Sequence, residues 1–355
     1  MRRRRFMELL ACCVALLPVG SSLAAAADSV RVFGPIVHDN LAIYYLHGSA
    51  TGGDVPLSLE EALAKGRVNV RETGNVNELT VENVGDSEVF VQAGDIVKGG
   101  RQDRVLSVDL LLPPRSGVVP IAAFCVESGR WTARGQEDAR QFSTAAAAMP
   151  SHDAKLAMRT YMAGAAQSSP TVGRSYAADP SRADTGSSQQ KIWAMVKATQ
   201  DRLARSVGAP VAAPASPSSL QLSLESEKLK TAQAAYMTAL QDGKVDDDVV
   251  GYIAAINGKI SGGDVYASPE LFRKMWPKLL AASVTEAIGH KDAVSADPPS
   301  TDQLAAFIKA IESAPESERV LNSNVTVATR EGDGSLYAET RRADGAWVHR
   351  NYLAK

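Results

Sequence analysis

Charged and polar side chains gather at the two ends of one stretch of the chain, residues 94–131. The first group comprises Arg101, Gln102, Asp103 and Arg104, and the second comprises Cys125, Glu127, Arg130 and Trp131. Two strand-like apolar runs, Val105–Leu112 and Val118–Val126, lie between the groups. Because arginine side chains and the N–H groups of a glycine-rich turn can bind an anion, we predict a ligand-binding site here.

The first group belongs to a turn, and this turn supports two interpretations. Gly99 and Gly100 open it, so its backbone N–H groups and its arginines can cradle an anion. Alternatively, it is a hairpin turn in which Asp103 pairs with a neighbouring arginine. The order GGRQDR matches neither the Gly-Lys-Ser phosphate loop nor the dinucleotide-binding fingerprint. No cofactor is therefore predicted.

The second group places a thiol and a carboxylate on one face of a strand, because Cys125 and Glu127 are two residues apart. Such a pair can supply a nucleophile and an acid, but a nearby anion disfavours the thiolate. We therefore interpret Cys125 as a small buried hydrophobic residue. Glu127 is expected to pair with Arg130 and hold the loop around Gly129. Trp131 is either a core residue or a stacking platform for a ring.

The sequence predicts no metal site. The histidines are scattered without a metal-ligand spacing, at positions His38, His47, His152, His290 and His349. The run Asp246–Asp248 resembles a hard-cation cluster but lacks the rest of a calcium loop, so we interpret it as a solvated turn.

The first 27 residues read as a signal peptide. Arg2–Arg5 form a basic region, Leu9–Val19 is a short apolar run, and Ala25–Ala27 fits a cleavage site before Asp28. The arginines also resemble a twin-arginine signal, so we expect export to the periplasm or medium by the general secretory or the twin-arginine route. The apolar run is too short to span a bilayer, and no transmembrane segment is expected in the mature chain.

Bulk composition narrows the class of partner. The 355 residues are 45% hydrophobic and 22% charged, with a formal net charge of −2. Loss of the arginine-rich signal peptide makes the chain more acidic, which argues against nucleic acid as a partner. A small molecule or another protein remains. Cys125 would be the one cysteine left after cleavage, so no internal disulfide is possible.

We expect residues 28–355 to form a single α+β domain. Its predicted parts are a β-rich half at 30–131, helices and a β-hairpin at 190–290, and a terminal helix with a β-meander at 301–352. Asn257-Gly258 between two apolar runs predicts the type I′ turn of the hairpin. Segments rich in Ser, Ala, Gly and Pro, about 163–189 and 208–219, are predicted to be mobile.

Three stretches together resemble a known family. They are GDIVKGGRQDRVLSVDLLLPP with AAFCVESGRW, then QQKIWAMV, then the run from VVGYIAAINGK to LLAASVTEAI. The chain resembles the bacterial ARG and Rhodanese-Phosphatase-superfamily-associated protein domain, a domain of unknown function, from about Val30 to Tyr352. The family's patterns fall on Gly99, Gly100, Gln102 and Arg104, on Cys125–Glu127 and Gly129–Trp131, and on Phe272, Trp276 and Lys278–Leu280. The resemblance implies one unified domain and supports the site's location, but it implies no reaction or ligand.

Three functional hypotheses follow. The first is an exported, non-enzymatic binding or interaction module whose groove is lined by the Gly99–Arg104 turn and the Cys125–Trp131 loop. The second is a hydrolase or transferase for an anionic substrate, with Glu127 as general acid/base and Arg101 or Arg104 as the clamp. The third makes the charged stretch purely structural. An open pocket would favour binding or catalysis, whereas a buried, mutually paired network would favour a structural role.

Overall fold

A computed structural model describes residues 30–50, 53–130, 132–135, 138, 140–167, 185–241 and 245–355. The predicted signal peptide, Trp131 and residues 168–184 of the predicted mobile segment at 163–189 lie outside the described residues. The described residues form 17 strands and seven helices. The fold is α+β, as the sequence predicts.

One antiparallel sheet of eight strands forms the widest layer, in the order β1-β2-β12-β13-β17-β16-β15-β14. Its strands are β1 (Arg31–His38), β2 (Leu41–His47), β12 (Val249–Ile256), β13 (Lys259–Tyr266), β14 (Glu316–Asn322), β15 (Val325–Gly332), β16 (Ser335–Arg342) and β17 (Trp347–Ala354). The predicted hairpin joins β12 to β13. Asn257 and Gly258 have φ angles of 52° and 76°, so the type I′ turn is confirmed.

The other strands form two smaller sheets. A six-stranded sheet has the order β11-β7-β8-β10-β5-β4, and a three-stranded sheet has the order β3-β6-β9. Their bounds are β3 (Leu57–Ser58), β4 (Val68–Glu72), β5 (Glu78–Asn83), β6 (Val89–Val91), β7 (Asp95–Gly99), β8 (Arg104–Leu106), β9 (Leu110–Leu112), β10 (Gly117–Cys125) and β11 (Phe142–Ala148).

The helices cover the sheets. They are α1 (Leu59–Ala64), α2 (His152–Gln167), α3 (Thr185–Val207), α4 (Leu220–Leu224), α5 (Glu227–Gln241), α6 (Pro269–Gly289) and α7 (Thr301–Glu312). Helix α6 packs against both β12 of the large sheet and β11 of the six-stranded sheet. It begins at Pro269, and the Ser268 hydroxyl caps it by accepting from the N–H groups of Glu270 and Leu271. The helix continues through Pro277 to Gly289.

Strand β2 is buried on both faces because helices lie on each side of the large sheet. Tyr45 points toward α6, with its ring 5.5 Å from that of Trp276. Tyr44 faces the opposite way and joins a second core that contains Leu304 and Ile311 of α7. The period of two along a strand assigns alternate residues to the two cores.

The structure differs from the sequence prediction in the low-complexity segments. Residues 163–167 end helix α2, and residues 185–189 begin helix α3, so these parts of the segment at 163–189 are helical. The segment at 208–219, which we expected to be mobile, holds the buried residues Ser216 and Ser219. The alanine-rich run 145–148 belongs to strand β11.

Candidate functional site

The predicted site residues meet in a buried ionic network, which we call the Asp103–Glu127 cluster. It comprises Asp103 from the turn between β7 and β8, Glu127 from the loop after β10, Arg130, Arg134, Ser216 and Ser219. The carboxylates of Asp103 and Glu127 are 0% exposed. The two ends of residues 94–131 therefore converge, as the sequence suggests, but they converge inside the protein.

Glu127 accepts hydrogen bonds from several directions. The Nε and Nη2 atoms of Arg130 lie 2.7 Å from its two oxygens, so the predicted ion pair is confirmed. The Asp103 N–H donates to Oε2 at 3.1 Å, and the Ser216 hydroxyl donates to Oε1. Burial alone raises the pKa of a carboxyl, but the bonds from Arg130, Ser216 and Asp103 hold the pKa of Glu127 below its usual value. Glu127 is therefore ionised and enclosed.

Asp103 is enclosed in the same way. Its Oδ2 lies 3.0 Å from Nη1 of Arg134 and 2.7 Å from the Ser219 hydroxyl, and its Oδ1 accepts from the Gly99 N–H at 3.0 Å. The expected pairing with an arginine is thus present, but the closest guanidinium is that of Arg134. These bonds tie the β7–β8 turn to the segment at 208–219, which explains why that segment is anchored.

Gln102 and Arg104 lie beside the cluster and are also buried, at 0% and 1% exposure. Nη1 of Arg104 donates to the Gln102 carbonyl at 2.9 Å, and Nη2 lies 3.4 Å from the Glu72 carboxylate. Arg101 is exposed, and its backbone N–H donates to Glu72 at 3.0 Å. The side chain of Arg101 is therefore the one among the four turn residues that reaches the surface.

Cys125 is fully buried, which confirms its interpretation as a core residue. The Gln189 side chain donates to its carbonyl and accepts from its N–H, each at 2.9 Å. Burial raises the pKa of the Cys125 thiol to about 11, with the carboxylates of Glu72 and Glu127 adding to the effect and Arg104 opposing it. A protonated, enclosed thiol is not a nucleophile.

An apolar groove lies on the outer side of the loop that follows β10, between α3 and the segment at 209–218. Its volume is about 730 Å³. Most of its lining is apolar, from residues such as Trp193, Val196, Ala204, Pro210, Val211 and Ala212. Ser128 of the Cys125–Trp131 loop reaches its wall, so the groove adjoins the predicted site.

Hydrogen bonds hold the walls of this groove to the Asp103–Glu127 cluster. Trp193 donates from Nε1 to the Glu127 carbonyl at 3.1 Å. The hydroxyl of Ser218 donates to the Ser128 carbonyl at 2.6 Å and accepts from the Ser128 N–H at 3.2 Å. The buried charges thus position the surface that faces the groove.

A second ionic cluster, which sequence reasoning missed, lies deeper in the molecule. His349 of β17 lies between two buried carboxylates, 2.7 Å from Asp109 and 3.0 Å from Asp264. Burial alone lowers the pKa of a histidine, but these carboxylates raise that of His349 to about 9. His349 is 240 positions from Asp109 and 85 from Asp264 in the sequence, so no local spacing could reveal the cluster. They join the large sheet to the three-stranded sheet, and none of them lines the α3 groove.

Comparison with protein families identifies the domain. The profile of the ARPP-1 family, the ARG and Rhodanese-Phosphatase-superfamily-associated Protein domain, matches residues 29–353. The chain belongs to the ARPP-1 family. The match spans both the buried cluster and the groove, so both are parts of one ARPP-1 domain. Comparisons with curated proteins and with solved structures find no match.

Within the described ranges, no helix is long and apolar enough to cross a membrane.

Proposed function

We propose that this ARPP-1 domain is a non-enzymatic binding module whose α3 groove takes a small ligand with an apolar body and an anionic end. The groove itself carries the proposal, because its volume of about 730 Å³ falls in the usual range of small-molecule sites. Its apolar lining suits a hydrocarbon or ring, whose burial would supply the binding free energy.

The charges at the edge of the groove support an anionic end. Lys197 and Arg205 both line it, and Arg205 lies in the last turn of α3. Asp201 pairs with Lys197 at 2.6 Å, whereas Arg205 has no ion pair within the described part of the chain. A guanidinium at the edge of an apolar surface can bind a carboxylate or sulfonate through two hydrogen bonds.

The walls of the groove are already fixed in the free protein, so no entropy is lost in ordering them when a ligand binds. Trp193 and Ser218 are held by the loop after β10, which the Asp103–Glu127 cluster in turn holds. Preorganisation of this kind lowers the entropic cost of association. In this proposal the buried charges hold the walls of the groove in place and do not touch the ligand.

The alternative of a hydrolase or transferase has less support. Glu127 would have to exchange a proton with substrate, yet its carboxylate is buried and accepts from three other residues. Arg104 is equally enclosed, which leaves Arg101 as the exposed half of the suggested clamp. A general acid/base needs hydrogen-bond access to the reacting group.

The test uses 8-anilinonaphthalene-1-sulfonate, an apolar ring system with one anionic group. We expect one saturable site in the folded protein, seen as a rise in probe fluorescence. Ala204→Glu places a charge in the groove and should weaken binding at least tenfold. Ala306→Glu, the same change on an exposed position of α7, is the matched control and should leave binding unchanged. Equal binding by the Ala204→Glu variant and the original chain would refute the groove, as would the absence of binding.

We also propose that the protein is exported to the periplasm or medium. The support is the order of basic region, apolar run and small-residue site in residues 1–27. Protein expressed with these residues should be recovered outside the cytoplasm with Asp28 as its first residue, as determined by N-terminal sequencing. Recovery in the cytoplasm with residues 1–27 intact would contradict export.

A further inference from the structure

We propose a divalent metal site where strand β2 ends and strand β12 begins in the large sheet, formed by His47, Asp246 and Asp248. Each residue offers one ligand atom, and the three atoms lie within 4.8 Å of one another. Zn²⁺ is the ion that this donor set fits best. The site is independent of the α3 groove, and it shares no residue with it.

Strand pairing brings the three residues together from distant parts of the sequence. His47 ends β2 and lies opposite Val249 of β12. Two backbone bonds fix the turn that carries the acids: Gly48 donates to the Asp248 carbonyl at 3.0 Å, and Val249 donates to the Asp246 carbonyl at 3.1 Å. The ligand set therefore rests on paired backbone rather than on a free loop, as a precise metal site requires.

The imidazole is the feature that distinguishes this group from an ordinary acidic turn. His47 is 7% exposed, and its ring packs 4.4 Å from that of Phe33. Its Nδ1 atom points at Oδ1 of Asp248 over 2.8 Å. Tetrahedral zinc bonds of about 2.0–2.2 Å place neighbouring ligand atoms about 3.3–3.6 Å apart. The two side chains must therefore separate by roughly half an ångström for a zinc ion to take the place of their hydrogen bond.

The donor set selects the class of ion. Imidazole favours zinc and its transition-metal neighbours, whereas calcium and magnesium prefer oxygen ligands throughout. Three protein ligands complete a zinc site when water takes the fourth position. Asp246 and Asp248 are exposed, so solvent has access to that position.

The neighbouring charges are compatible with an ion at this place. Arg31 pairs with Oδ2 of Asp248 at 3.3 Å and leaves Oδ1 to face His47. Its side chain is 65% exposed and can withdraw into solvent. Asp247, between the two proposed ligands, is instead paired with Arg273 at 3.5 Å and is not in the group. Asp247 therefore provides a matched control for the charge of the turn.

The test measures Zn²⁺ binding to the full chain by calorimetry after treatment with a chelator. We expect one equivalent to bind, and His47→Gln and Asp246→Asn should each weaken it at least tenfold. Asp247→Asn removes the same charge from the same turn and should change the affinity less than twofold. Co²⁺ should give visible absorption typical of nitrogen and oxygen ligands, and this absorption should be lost in His47→Gln.

Several results would overturn the site. One is the absence of Zn²⁺ binding to the original chain, and another is an Asp247→Asn variant as impaired as Asp246→Asn, which would indicate diffuse attraction. His47 is buried, so circular dichroism must first show that His47→Gln is folded. If it is not, the exposed Asp246→Asn variant decides the question. Zn²⁺ binding by Asp246→Asn as tight as that of the original chain would refute the proposal.

Discussion

Glu127 and Asp103 illustrate how a carboxylate can stabilise a fold without being a catalyst. Both are removed from water, and guanidinium, hydroxyl and backbone donors surround them. Replacing a whole buried pair by apolar residues can be neutral, but removing one partner leaves an uncompensated charge in the interior. The stability of the loop after β10 should therefore depend on each partner separately.

Arg130→Met tests this dependence, because it removes the guanidinium that binds both oxygens of Glu127. We expect the free energy of unfolding in urea to fall by about 3–5 kcal/mol, the usual effect of breaking a buried pair. The control is Lys230→Met, which breaks the exposed Lys230–Glu227 pair and should cost less than about 1 kcal/mol. Similar losses in both variants would show that the cluster contributes no more than a surface pair.

The sequence predicts part of this cluster. The close spacing of Glu127 and Arg130 indicates their pairing, and the carboxylate near Cys125 argues against a reactive thiolate. Ser216 and Ser219 could not be predicted, because they follow Asp103 by more than a hundred residues in a segment rich in Pro, Ala and Ser. A hydroxyl that donates to a distant carboxylate leaves no periodic signal.

At the scale of elements, prediction succeeds where local chemistry decides the structure. Asn257-Gly258 between apolar runs specifies a hairpin, and Ser268-Pro269 specifies a helix start. The sequence offers no such local signal for β11, whose run of alanines lacks both β-branching and alternation. Pairing with β7 makes this segment a strand, and that pairing is a tertiary effect.

The β7–β11 pair depends on a glycine that the sequence assigns to a turn. Gly100 has a φ of +56°, and a Cβ there would lie 2.2 Å from the ring of Phe142 in β11. Gly129 also has a positive φ, +81°, but a Cβ there would meet nothing within 4 Å. Substitution of Gly129 therefore measures backbone strain alone, whereas substitution of Gly100 adds a steric clash with Phe142.

Gly129→Ala should cost about 1–2 kcal/mol in the free energy of unfolding, the usual effect of a left-handed non-glycine residue. Gly100→Ala should cost more, because the Phe142 ring must also move. Denaturant unfolding measures both. Phe142→Leu should recover part of the extra loss in Gly100→Ala, as a double-mutant cycle would reveal. Equal losses at the two glycines would refute the steric argument.

At the scale of the whole molecule, His349 joins the sheets. It lies in β17, its partner Asp264 lies in β13 of the same sheet, and Asp109 lies next to β9 of the three-stranded sheet. The Thr340 hydroxyl and the Ala93 N–H also donate to Asp109, which fixes its position. An imidazolium between two carboxylates holds these layers together more strongly than a neutral imidazole would.

This arrangement predicts a loss of stability in mild alkali. The pKa of His349 is raised from 6.5 to about 9, so its contribution is fully present below pH 6.5 and is lost as the pH rises through 9. At 1.36 kcal/mol per unit of pKa shift, the contribution to the free energy of unfolding is about 3 kcal/mol.

Unfolding in urea at pH 6.5 to 10 should show this decline in the original chain and a flatter profile in His349→Gln. Burial raises the pKa of Glu286 to about 7, so Glu286 titrates at the lower end of this range in both proteins. If the unfolding free energies of the two proteins change in parallel with pH, His349 releases no proton over this range. It would then already be neutral in the folded protein, which would contradict the prediction.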